Sequence, residues 1–155
     1  MNATEKKKVL LISLTSVAIV LLDQIIKAII TRNLQLSQSI PIIPNIFHLT
    51  YIQNTGAGFG LFQGSTRLLI WFSIIVIGLI LYFYDAIPEN KYVQASVALI
   101  LGGTFSNLID RINLGYVIDF LDFRIWPAFN IADAAITTGV VILIIYILKK
   151  DLIKK

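Results

Sequence analysis

Three aspartates lie within or at the edge of long apolar stretches of this 155-residue chain: Asp23, Asp110 and Asp133. An ionisable group in hydrocarbon is expensive, so each one raises a functional hypothesis. Two carboxylates that share a site cannot both ionise easily, and their titrations split. One can then act as a base toward water while the other, still protonated, hydrogen-bonds a carbonyl under attack. That chemistry hydrolyses a peptide bond without metal, histidine or cysteine.

Each aspartate also has a plainer reading. Asp23 and Lys27 are four residues apart on one helical face, where an ion pair would fix packing. Asn130-x-x-Asp133 has the spacing of a helix cap with an acidic first turn. Asp110 has no such local reason, because an anion near a helix C-terminus opposes the macrodipole. Arg111 is its chain neighbour and Asn107, three residues earlier, shares its face. The helix ends therefore suggest Asp133 as the initial base and Asp110 as the initial acid. Gly102, Gly103 and Ser106 offer a small surface for close helix packing. The lone histidine, His48, lacks a nucleophile-elbow pattern and is too little for the usual zinc ligand spacings. It reads as an ordinary polar strand residue, and no metal site is expected.

The elements that must position these groups are membrane helices. Hydrophobic residues make up 57% of the chain and charged residues 14%. A soluble domain averages about 45–50% and about 25%, so a water-facing surface could not be covered. Disorder is excluded for the same reason. Four stretches suit spans of about 17–25 helical residues: about 9–30, 68–84, 93–112 and 131–148. Trp71, Phe72, Tyr82, Phe83 and Tyr84 along the second suit lipid contacts and the interfacial belt. Lys6–Lys8 before the first stretch resemble a signal-peptide n-region, but no small-x-small cleavage site follows. The first helix is therefore expected to stay uncleaved.

Of the 13 Lys and Arg residues, Lys6, Lys7, Lys8, Lys149, Lys150, Lys154 and Lys155 lie in two tails. They read as positive-inside determinants that put both termini in the cytoplasm, and no basic polar face for nucleic acid exists. Segments of about 32–66 and 113–130 then face outward. Strand-forming residues occur at 40–44, 47–54 and 116–123, the last carrying Asp119 and Asp122. By helix rise, Asp23 lies roughly 21 Å from Val9 and Asp110 roughly 25 Å from Val93, both toward the outer side. Asp133 opens the inward-running fourth span. The expectation is an all-α membrane protein, residues 1–155 as a single domain, with four transmembrane helices and a small extramembrane β-structure on the outer face. With no cysteine, disulfides, thiol chemistry and lipidation of this chain on cysteine are excluded.

Five motifs in order resemble the lipoprotein signal peptidase (signal peptidase II) family. They are Asp23-Gln24-x-x-Lys27, Asn54-Thr55-Gly56-Ala57, Gly102-Gly103-x-x-Ser106-Asn107-x-x-Asp110-Arg111, Val117-Ile118-Asp119-Phe120 and Phe129-Asn130-Ile131-Ala132-Asp133. Gly58 stands where the family often has alanine, and Ser106 where it often has glycine. The resemblance implies an intramembrane aspartic endopeptidase with Asp110 and Asp133 as the catalytic dyad. Asp23, Lys27, Asn54, Gly56, Asn107, Arg111 and Asn130 match positions that support the dyad or bind substrate. Residues 45–62 resemble the family's small extramembrane β-structure. The implied substrate is a prolipoprotein whose cysteine carries diacylglycerol, cut just before that cysteine at the outer face of the bacterial cytoplasmic membrane. A monomer among membrane lipids is expected, with no cofactor. A small transporter or a scaffold would also place carboxylates in a bundle. A transporter more often carries them at mid-membrane or in inverted repeats, and a scaffold leaves Asp110 without a reason.

Overall fold

The computed structural model describes residues 2–57 and 61–153, the last three of them by backbone only. Gly58, Lys154 and Lys155 lie outside the described residues, as do residues 58–60 of the β-structure expected at 45–62. Four α-helices and three strands follow along the described chain. They are α1 (Ala3–Asn33), β1 (Ser39–Ile43), β2 (Phe47–Asn54), α2 (Thr66–Tyr82), α3 (Lys91–Leu114), β3 (Val117–Asp122) and α4 (Ile131–Ile153).

Helix α1 begins earlier than the apolar stretch at 9–30. Asn2 accepts from the Glu5 amide while the Glu5 side chain accepts from the Asn2 amide, a reciprocal cap that starts the helix at once. Lys6–Lys8 therefore belong to the first turns of α1. Helices α1, α3 and α4 are long and apolar enough to cross a membrane. Helix α2 has 17 residues, at the lower limit for a span, and ends two residues before the expected 68–84 boundary. A 3-10 turn follows at Tyr84–Ala86. Its carbonyl region accepts from Lys8 Nζ, which bonds the carbonyls of Tyr84 (3.3 Å) and Ile87 (3.4 Å). Helix α3 starts under the Asn90 cap and stops at Gly115, whose φ of 83° suits glycine.

Helix α3 is the central element, packed mainly against α4 and α1 and more lightly against α2. The expected small-residue face explains why. A Cβ on Gly102 would come within 2.8 Å of the Ser16 carbonyl of α1, and one on Gly103 would strike the Ala132 carbonyl of α4. Dispersion and close backbone approach drive helix packing in lipid, where apolar area alone does not. Many apolar side chains on the other faces, such as Leu14, Ile25, Trp71 and Ile144, point outward.

The strands form one antiparallel sheet in the order β1-β2-β3. Ile30 and Leu34 from the end of α1 pack with Tyr51, Ile118 and Phe120 of the sheet. This cluster joins the sheet to one end of the bundle. All strands fall where β-favouring residues suggested them, but the sheet starts at Ser39 and recruits β3, so it is wider than the 45–62 expected.

Candidate active site

Lys27 sits where three elements meet and is 1% exposed. Its ammonium has three donors, and three acceptors surround it. Asp23 Oδ2 lies at 2.6 Å, Asp110 Oδ2 at 2.7 Å and Asn107 Oδ1 at 3.1 Å. The Asp23–Lys27 pair expected at i,i+4 is thus present, but it also reaches across to α3. Asp23 completes its coordination with the Ser106 hydroxyl (2.7 Å) and with the Ala132 amide (3.1 Å) at the start of α4. One carboxylate from α1 therefore ties α3 and α4 together.

Asp110 is occupied on both oxygens. Gln24 Nε2 donates to Oδ1 at 2.8 Å, while the Ile118 amide (3.2 Å) and Lys27 share Oδ2. Asp110 is buried, 2% exposed.

Asp133 has two sets of partners. Its Oδ2 accepts from the Asn130 amide (3.3 Å) while its own amide donates to Asn130 Oδ1 (2.8 Å), so the expected cap is formed. Its Oδ1 accepts from Asn107 Nδ2 at 2.8 Å. The capping and functional readings of this residue are therefore compatible: one oxygen serves the helix and the other faces the polar layer.

A fourth carboxylate, Asp119 of β3, joins this layer. It accepts from Asn130 Nδ2 (2.8 Å) on Oδ1 and from Asn54 Nδ2 (2.9 Å) on Oδ2. Burial first, and then the charge of Asp133, push the Asp119 carboxyl up to about 7, against the pull of its two amide donors and Lys27. Asp119 and Asp133 thus share Asn130, whereas Asp110 is held in an ion pair with Lys27. Asp110 and Asp133, the pair expected, are connected through Lys27 and Asn107. Asp119 appeared in a motif but was given no role. Its signal lay in the run Val117-Ile118-Asp119-Phe120, which is buried throughout. An acid in a strand covered on both faces must be paired or neutral.

The groove beside this layer has a volume of about 410 Å³, bordered by Asn54, Gly56, Arg111, Trp126, Phe129 and Asp133 among others. Arg111 Nη2 donates to the Gly56 carbonyl at 3.2 Å, which ties α3 to the loop after β2. Its charge interacts with Asp133, Asp119 and Asp110 in that order of strength. Asn54 Oδ1 accepts from the Gly56 amide (2.9 Å), so Gly56 acts through backbone atoms. All nine residues singled out in the sequence belong to one connected layer. Gln24, Ser106 and Asp119 complete it. His48 lies apart: its Nδ1 meets Ser39 Oγ at 3.0 Å on the sheet. Among the described residues no group of three His, Cys, Asp or Glu has the arrangement of a metal site.

Comparison with known proteins agrees with the motif order. A family model described as signal peptidase (SPase) II matches residues 15–149. A lipoprotein signal peptidase of Halothermothrix orenii is 45% identical over 133 residues, covering 86% of this chain and 92% of that protein. One from Moorella thermoacetica is 45% identical, covering 84% and 87%. A solved bacterial membrane enzyme at 2.3 Å resolution superposes with a TM-score of 0.88 at 34% identity, covering 93% of this chain and 91% of that one.

Proposed function

The chain belongs to the signal peptidase II family, and on that premise we propose that it is an aspartic endopeptidase whose reacting pair is Asp133 and Asp119. It is an integral protein of the bacterial membrane and cleaves the signal peptides of lipoproteins. In this reading all four helices cross the bilayer as one domain, both termini are cytoplasmic, and the sheet covers the site on the outer side. The substrate is a prolipoprotein with a diacylglyceryl cysteine, cut just before that cysteine.

The observation that carries the pairing is Asn130, which bonds both carboxylates, and burial beside Asp133 pushes the Asp119 carboxyl up to about 7. Near neutral pH such a pair shares a proton, and in this reading Asp119 carries it. Asp133, at the N-terminus of α4 and bordering the groove, acts as the carboxylate base. It takes a proton from a water, and the oxygen attacks the scissile carbonyl. Asp119 hydrogen-bonds the carbonyl oxygen and transfers its proton to it. The tetrahedral diol then collapses: the C–N bond breaks, Asp133 gives its proton to the leaving amine, and Asp119 recovers one from the hydroxyl. Asn54 borders the groove and covers Asp119 Oδ2, so a carbonyl oxygen reaches Asp119 by taking the place of that amide. The ion-paired cluster of Asp23, Lys27 and Asp110 holds α1, α3 and the start of α4 in register, a supporting role. Arg111 and Gly56 shape the wall of the groove.

The test is cleavage of a diacylglyceryl-modified prolipoprotein by purified protein in detergent. The parent is expected to cut once, before the lipidated cysteine, with or without chelator. Asp133→Asn is expected to stay folded and inactive. A folded parent that does not cleave, or a folded Asp133→Asn variant that does, refutes the assignment.

A further inference from the structure

A second groove lies at the other end of the bundle. It has a volume of about 350 Å³ and is bordered by Tyr92, Ile142, Ile145, Tyr146 and Lys149. Its floor is apolar, its rim carries two phenols, and its end carries an ammonium. Lys91 is drawn to the same rim, with Nζ 5.2 Å from the Tyr92 ring centroid. Among the described residues neither Lys91 nor Lys149 makes an ion pair. From Lys91 to Asp110 the helix rises about 28 Å, so this groove is one bilayer thickness from the carboxylate layer.

The surrounding charge is positive. Lys6, Lys7, Lys91, Lys149 and Lys150 lie at this end, with Glu5, Asp85, Glu89 and Asp151 as the acids there. Lys8 is buried and spent on the Tyr84 and Ile87 carbonyls. A zwitterionic headgroup brings its own cation to the two ammonium groups at the groove and no net charge; an anionic one brings a phosphate with no competing cation, and a net negative charge.

We propose that this groove binds one anionic phospholipid of the facing leaflet, its phosphate between Lys91 and Lys149 and an acyl chain along Ile142 and Ile145. Tyr92 and Tyr146 supply phenol donors at headgroup depth, where such side chains are enriched. Basic residues near the surface favour anionic lipid, and a cleft between helices adds the contact that a flat surface lacks. The site is separate from the groove that takes substrate. It rests on α3 and α4 crossing the bilayer, and it is independent of the peptidase chemistry.

The experiment is native mass spectrometry of the full chain released from nanodiscs of phosphatidylglycerol and phosphatidylcholine with matched acyl chains. The parent is expected to retain one phosphatidylglycerol in preference to phosphatidylcholine by about tenfold. Lys91→Gln/Lys149→Gln is expected to lose that preference, while Lys6→Gln/Lys7→Gln, which removes equal charge outside the groove, keeps it. Ile145→Trp fills the groove with both lysines intact and is expected to release the lipid. Equal retention of both lipids by the parent, or equal loss in both double variants, overturns the proposal. Cleavage in detergent by each variant reports that it is folded, and an inactive Asp133→Asn variant that still retains the lipid separates this inference from the catalytic one.

Discussion

Asp110→Asn and Asp119→Asn are expected to fail in different ways, and the difference tests the assignment of the pair. Asp119 accepts two amide donors, and burial pushes its carboxyl up to about 7. Its replacement by Asn keeps the size and one acceptor but removes the transferable proton. Turnover is expected to fall about 10²–10⁴-fold, the usual worth of a positioned acid, with little change in stability. Asp110 accepts from Lys27, Gln24 and the Ile118 amide. Removing one partner of a buried ion pair costs about 3–5 kcal/mol when the other charge is stranded. Lys27 keeps Asp23 at 2.6 Å, so the cost belongs at or below the lower end of that range. Asp110→Asn is therefore expected to lower the thermal midpoint in detergent by several degrees while the folded fraction keeps measurable turnover. Single-turnover cleavage of a lipidated prolipoprotein, normalised to folded protein, reads both effects. A stable, fully inactive Asp110→Asn beside an active Asp119→Asn would refute the reasoning.

Four further outcomes follow from the carboxylate layer and the helix packing that holds it. Asp119 must hold its proton to act, and its folded titration at about 7 lies far above the unfolded value, so turnover is expected to fall as pH rises through about 7. By linkage the same group stabilises the fold most below about pH 4 and loses that contribution as pH rises to about 7, so Asp119→Asn should flatten this part of the stability profile. Gly103→Ala puts a methyl against the Ala132 carbonyl and must push the start of α4 from α3. Both turnover and the unfolding midpoint should drop, by roughly 1–3 kcal/mol in stability. Asn107→Ala removes the amide between Lys27 and Asp133. A loss in kcat with little change in KM is expected, and a pure KM effect would place Asn107 in substrate binding instead.

Membrane class, helix positions and the strand segments were legible in the sequence because each rests on local periodicity and length. Apolar runs of about 20 residues have few alternatives, and Asn-x-x-Asp at 130–133 states its own cap. The Asp23–Lys27 pair was legible for the same reason, since four residues make one helical turn. The partners of these groups were not. Asp110 stood out because no local rule requires an anion at a helix C-terminus, and the motif match reinforced that choice. The reason for its presence is Lys27, 83 residues earlier, which only the packing of α1 on α3 brings to 2.7 Å. Asp119 was passed over because a strand residue between apolar neighbours has no visible partner in sequence. Its neighbours Asn54, Asn130 and Asp133 come from β2 pairing with β3 and from α4 folding back beneath the sheet. The sequence by itself determined which segments form long apolar helices and which carboxylates they carry, because hydrophobicity and helix period are properties of a segment. The division of four carboxylates between the ion pairs of Lys27 and the hydrogen bonds of Asn130 was decided by tertiary structure alone, because electrostatic energy depends on distances between segments.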